Sequence, residues 1–413
     1  MKKYLLFSLL FFSSIISYAQ WQPDVRLTFA PNDSFVSLNN SRCIAAGQNF
    51  VHIVWADDRD GNREIYYKRS TDYGTSWGQD VNLSNNPAIS YRPCISMLGS
   101  LIHVVWCDNR DGNFEIYYKR STDNGVTWQQ EICLTYTPDV SWAPSLAING
   151  ANMHVVWEEA ISGSEEIFYK NSTDNGLTWG PNTRLTNDPF SSLYPSVAVF
   201  GFFIHVAWYD YRPGNRSIFY KRSTDGGVNW GQDIQLSFST GESYNPGIAV
   251  SGQTVHISYQ DTRFGNEEIF YIRSSDDGSN WGPETRLTNT FGISWYPSIT
   301  VSGNNVHLAW YDTTAGNYEI YYGLSTDGGL SWLLNTRLTY DTARSYRPSI
   351  MVSGTFVHLI WNDARDGNLE VYYKRNPTGN PIGIKNISSE IPKIFSLQQN
   401  YPNPFNQSTI INY

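Results

Sequence analysis

The chain has 413 residues and a net charge of −9, with no basic run beyond its first three residues, so it lacks the electrostatic footprint expected of a nucleic-acid binder. No later stretch approaches the roughly 20 consecutive apolar residues that a membrane-crossing helix needs. No transmembrane segment is therefore predicted.

In chain order, Lys2 and Lys3 precede an apolar run over residues 4–16 and the triplet Ser17-Tyr18-Ala19. This pattern predicts a signal peptide over residues 1–19, cleaved near Ala19, and a secreted or outer-surface location. Residues 21–28 then read Trp-Gln-Pro-Asp-Val-Arg-Leu-Thr and match residues 77–84, Trp-Gly-Gln-Asp-Val-Asn-Leu-Ser, a strand with no partners of its own nearby.

From there the chain is periodic. All seven histidines, His52, His103, His154, His205, His256, His307 and His358, stand 51 residues apart. A fixed period of this length is one supersecondary unit copied along the chain, each copy too small to bury its own apolar face. Every copy holds short runs rich in Val, Ile, Tyr and Trp, bounded by Gly, Asn, Asp or Pro, which predicts four strands, A to D, in one antiparallel sheet. Strands A, B and C recur seven times, while the last copy ends at residues 374–377 without a D strand. The expectation is an all-β, seven-bladed β-propeller over residues 20–378, with residues 24–28 closing the last blade beside residues 370–374.

Most of the 15 tryptophans and 28 tyrosines fall at repeat positions, among them Trp55, Trp106, Trp157, Trp208, Trp310 and Trp361, with Tyr259 in the fifth copy. They read as packing between blades. Cys43 and Cys94 hold equivalent places and Cys107 and Cys133 have no counterparts, so buried free thiols are favoured over a disulfide framework. An export route would still permit a bridge.

Six segments between strands C and D carry Ser-x-Asp-x-Gly-x-x-Trp: Asp72, Gly74 and Trp77; Asp123, Gly125 and Trp128; Asp174, Gly176 and Trp179; Asp225, Gly227 and Trp230; Asp276, Gly278 and Trp281; Asp327, Gly329 and Trp332. They resemble the Asp boxes, or bacterial neuraminidase repeats, of sialidases and related propellers. The resemblance implies a structural hairpin on the face opposite an active site. Physical chemistry agrees, because the Asp can accept turn amides, Gly takes a positive φ and Trp packs beneath.

At the carboxyl end, residues 379–391 read as a linker. Residues 392–413, with Asn-Tyr-Pro-Asn-Pro-Phe-Asn at 400–406, resemble the opening of a type A sorting domain of the type IX secretion system of Bacteroidetes and their relatives. The resemblance implies the type IX machinery as a partner, and a sorting domain cut short at Tyr413.

Antiparallel blades put the D-to-A and B-to-C connections on one face, termed upper, opposite the boxes. Loops on such a rim are where ligands bind. The B-to-C turns carry Asp57/Arg59, Asp108/Arg110, Asp210/Arg212, Asp261/Arg263 and Asp363/Arg365, which read as mutually satisfied ion pairs, with Ile161 and Thr314 in place of Arg in blades 3 and 6. Arg42, Arg92 and Arg347 start strand A of blades 1, 2 and 7, contiguous in a closed ring, and could converge on one carboxylate or sulfate; pairing with Asp and Glu of neighbouring turns is the alternative. Tyr91, Trp142, Trp295 and Tyr346 could stack on sugar at the same rim, as could Tyr194, Tyr244 and Tyr296, or serve packing.

Tyr-Arg-Pro at 91–93 and 346–348 is similar to a segment that contributes an arginine in sialidases. The resemblance further requires a Tyr nucleophile, its Glu partner and an acid/base Asp, and no such set stands out from the repeats, so no catalytic residue is assigned. The histidines are one per blade and too far apart to share a zinc ion, and the turns fail calcium-loop spacing, so neither metal nor cofactor is expected. The favoured function is an exported binding module for glycan. A surface-protein partner, an exo-sialidase-type hydrolase, and an adhesive propeller without a small-molecule site are the alternatives.

Overall fold

Short apolar runs closed by Gly, Asn and Asp turns carry no helical period, and the computed structural model, which describes residues 21–37, 42–161 and 163–378, contains strands and turns only. Signal peptide, linker and sorting-domain expectations lie outside the described residues. Seven antiparallel sheets follow one another along the chain. The last shows the common order: inner strand A, Ser345–Ser353, pairs with B, Phe356–Asp363, and B with C, Glu370–Asn376. Its outer place is taken by Val25–Arg26 from the amino end.

That closure has the expected register, Val25 opposite Tyr373 and Arg26 opposite Tyr372. Leu27 extends it by donating its amide to the Val371 carbonyl at 2.8 Å. Charges fix it as well: Arg26 meets Glu370 at 2.7 Å, and Asp24 holds both Arg365 and Lys374 at 2.9 Å. Blade 1 departs from the pattern, since its inner strand comes in two pieces, Ser34–Phe35 and Ile44–Gly47, both paired with Phe50–Asp57.

The histidine period has a packing cause. Each Nδ1 is hydrogen-bonded to a tyrosine hydroxyl on strand C of its own blade, from His52 with Tyr67 at 2.6 Å to His358 with Tyr373 at 2.7 Å. The same tyrosine meets the hairpin of the next blade, Tyr67 lying edge-on to Trp128 at 4.8 Å and Tyr373 to Trp77 at 5.0 Å. The joint thus passes across the seam from blade 7 to blade 1. Trp21, from the amino-terminal segment, does the same for Tyr322. Burial strips hydration from the imidazoles and holds them far below 6.5, at about 3 for His52 and about 4 for His103, so they are neutral at pH 7.

Two further repeats mark the faces. Above, the Asn62 amide donates to the carbonyls of Asn86 and Ala88, and Asn317 does so to Asp341 and Ala343, tying the B-to-C turn to the following D-to-A loop in every blade but the third, where Ser164 replaces the asparagine. Below, Ser70 Oγ donates to Asp72 Oδ1 at 2.7 Å and accepts the Gly74 amide at 2.8 Å, while Asp72 Oδ1 accepts the Ser76 amide. Inner strands surround an axial channel, and the strand B tryptophans are buried between blades. Cys43, Cys94 and Cys107 are buried and Cys133 half-buried, all as free thiols.

Candidate functional site: an aromatic cleft on the upper rim

Each inner strand from blade 2 to blade 7 shifts register near its upper end, as between Tyr91 and Cys94 or Tyr346 and Ser349. The bulged residue is left-handed in every case: Arg92 (φ 53°), Ala143 (51°), Tyr194 (54°), Asn245 (53°), Tyr296 (50°) and Arg347 (56°). Bulges re-aim side chains, and a left-handed residue with a Cβ costs on the order of 1 kcal/mol. Four kinds of side chain therefore stand at one repeated, strained place.

The neighbouring blade helps to hold that strain. In two blades the residue following the strand B aromatic accepts the amide of the left-handed residue on the next inner strand, Glu158 from Tyr194 at 2.9 Å and Gln260 from Tyr296 at 3.0 Å; in the same place Asn362 accepts the Val36 amide of blade 1 at 3.0 Å. This column, Ala56, Cys107, Glu158, Tyr209, Gln260, Tyr311 and Asn362, changes residue from blade to blade. Glu158 is buried without an ion pair among the described residues; loss of hydration lifts its carboxyl to about 7, against the pull of the Tyr194 amide and Arg92.

The structure distributes the seven sequence-derived ligand candidates among three places. Arg42 lines the axial channel and donates to the Ile248 carbonyl at 3.3 Å. Arg92, Tyr91 and Trp142 form a closed stack on blades 2 and 3. The Arg92 guanidinium lies between Trp142 (4.7 Å) and Tyr194 of blade 4 (4.9 Å), donates to the Tyr194 hydroxyl at 3.1 Å and has Nε and Nη1 sealed without a partner among the described residues. Arg347, Tyr346 and Trp295 line an open cleft of about 390 Å³ on blades 5 to 7, together with Tyr244, Gln260, Tyr296, Tyr311, Tyr318 and Arg344. The three arginines are thus free of carboxylate partners among the described residues, yet they line no common pocket.

Tyr311 is the floor of the cleft. Its ring stacks with Tyr296 at 5.9 Å and meets Trp295, Tyr318 and Tyr346 edge-on at 5.7, 5.4 and 6.1 Å. Burial raises the Tyr296, Tyr311 and Tyr346 phenols, which stay neutral donors. Arg344 and Arg347 lie 5.5 and 5.1 Å from the Tyr318 and Tyr346 rings, and neither guanidinium has a hydrogen bond or ion pair among the described residues. The lining holds two cations and six aromatic rings, and no carboxylate. Such a surface offers ring faces for apolar C–H groups and forked donors for an oxyanion.

The other rim charges are already used. Asp57 accepts both ends of Arg59 at 2.7 and 2.8 Å together with the Trp55 indole and Ser34, and Arg59 reaches on to Asp80. Where Thr314 replaces the arginine, Asp312 accepts the Thr314 amide. Among the described residues no group of three or more His, Cys, Asp or Glu is placed to hold a metal ion. Tyr311, Tyr318, Gln260 and Arg344 escape a search for repeats; the signal that could have found the first and third is the column that changes beside an otherwise constant strand.

Among solved structures the chain is similar to the phage phi92 endosialidase, with 9% identity and a TM-score of 0.54 over 92% of this chain and 71% of that one. It is similar also to the polysaccharide lyase Uly1, with 10% identity and a TM-score of 0.53 over 84% of this chain and 92% of that one. A mutant Trypanosoma rangeli sialidase displaying trans-sialidase activity aligns with 12% identity and a TM-score of 0.46 over 70% of this chain, which spans 54% of that protein's length. At 9 and 10% identity, the first two likenesses show a shared fold and no more. No family model matches the chain, and no curated protein does.

Proposed function

We propose that the protein is an exported, sialidase-like propeller that binds glycans through the cleft on blades 5 to 7. The carrying observation is the lining itself: six aromatic rings and two guanidinium groups unpaired among the described residues, around about 390 Å³, with no acid in that lining. Sugars present apolar faces to such rings, and a carboxylate or sulfate on the sugar would meet Arg347 and Arg344. A glycosidase of the paired-carboxylate kind needs acids at the bond it breaks, and this lining supplies none, which favours a binding module over a hydrolase. In this reading the six hairpins are Asp boxes serving structure, residues 1–19 direct export, and the tail addresses the type IX machinery. The test is a glycan array. Saturable binding to acidic glycans is expected, weakened about tenfold or more by Arg347→Ala. Absence of binding to every glycan, or turnover of a fluorogenic sialoside, would replace this reading.

A further inference from the structure

We propose that the axial channel holds a small monoanion, a halide or a short carboxylate, against Arg42. Six blades place proline at this point of strand A, Pro93, Pro144, Pro195, Pro246, Pro297 and Pro348, so the charge occurs once in seven repeats. Nη2 of Arg42 donates to the carbonyl of Ile248, on the inner strand of blade 5, at 3.3 Å. A guanidinium carries five N–H donors, and the others find no protein acceptor among the described residues.

Among the described residues the surroundings supply no counter-charge. Arg42 borders a narrow neck with Ser145, Ser196, Gly247 and Ser298. It also borders a chamber of about 240 Å³ further along the same strands, walled by residues such as Ala147, Ala198, Val250 and Val301. Neither lining contains an acid or a second base. Loss of hydration lowers the arginine from its ordinary value, and among the described residues the ionisable neighbour that acts on it is the buried Cys94 thiol, itself held protonated by burial.

Arg42 is half-buried and its free N–H groups face the channel, where no protein anion answers them among the described residues, and arginine does not escape by losing its proton. One positive charge between walls of alanine and valine suits one negative charge with little polar periphery. The channel site is separate from the cleft, whose lining does not include Arg42.

The experiment uses the full chain, with bromide and acetate as probes at an ionic strength held constant by a bulky sulfonate. The unfolding midpoint of the wild type should rise with each tenfold addition of probe, as mass action on the native state requires, and that of Arg42→Gln should stay flat. Bromide in a crystal should give an anomalous peak beside Arg42. An equal rise in both proteins, or a channel free of bromide, overturns the proposal. Should Arg42→Gln fail to fold, Arg42→Lys keeps the cation and should respond more weakly than wild type, while the crystal remains decisive.

Discussion

Glu158 and Gln260 perform one task with different chemistry. Each accepts the amide of a strained tyrosine on the next blade, but only the glutamate carries a charge into a buried place. Its carboxyl sits near 7 when folded against an ordinary 4.5, so the native state prefers the protonated form and loses stability as pH rises through this window. Glu158→Gln should therefore stabilise the protein above pH 7, by on the order of 3 kcal/mol, and the gain should vanish below pH 4.5. Urea unfolding at two pH values checks this, and a gain that ignores pH would point to a cause other than the charge. Such a residue is hard to read from sequence, because nothing marks one glutamate of Glu158-Glu159 as facing a neighbouring backbone amide.

At the scale of the element, the hairpin between strands C and D was legible and the bulge in strand A was not. The hairpin repeats its residues, and each has a local reason: Asp72 accepts turn amides and Gly74 takes φ 79°. The structure adds a neighbour, since a Cβ on Gly125 would overlap the Tyr67 hydroxyl of the preceding blade. Gly125→Ala should destabilise by about 3 kcal/mol, from a left-handed alanine and the displaced phenol together, measured by denaturant unfolding. A loss below about 1 kcal/mol would mean that the joint is slack. The bulge escapes notice because Arg92, Ala143, Tyr194, Asn245, Tyr296 and Arg347 share a backbone conformation but no one residue type, and none is a glycine that would announce a positive φ. Arg92 and Arg347 look alike in their Tyr-Arg-Pro settings and yet diverge, one sandwiched between rings and one lining an open cleft. What differs lies two blades on: Tyr194 closes over Arg92.

For the whole molecule, periodicity fixes blade number and closure, because a ring of seven copies with one strand missing at one end and one spare at the other has a single economical solution. Val25 opposite Tyr373 realises it, and Leu27 is buried beside the latch. Deleting residues 20–28 should lower the unfolding midpoint by roughly 10 °C in calorimetry, and an unchanged melt would detach the latch from stability. Sequence order alone brings the blade 7 arginines beside the aromatic groups of blade 6, while Arg42, across the closed seam, turns inward to the axis. Convergence of three arginines could not be judged from adjacency of blades, because direction is set by bulge and clamp within each one.

The central claim is that ligand enters the cleft on blades 5 to 7 and not the closed stack on blades 2 and 3. Calorimetric titration with an acidic oligosaccharide taken from the array tests it directly, comparing Trp295→Ala with Trp142→Ala. The account predicts that affinity falls by about tenfold or more in Trp295→Ala and is preserved in Trp142→Ala. Loss of affinity in Trp142→Ala with Trp295→Ala unaffected would contradict it.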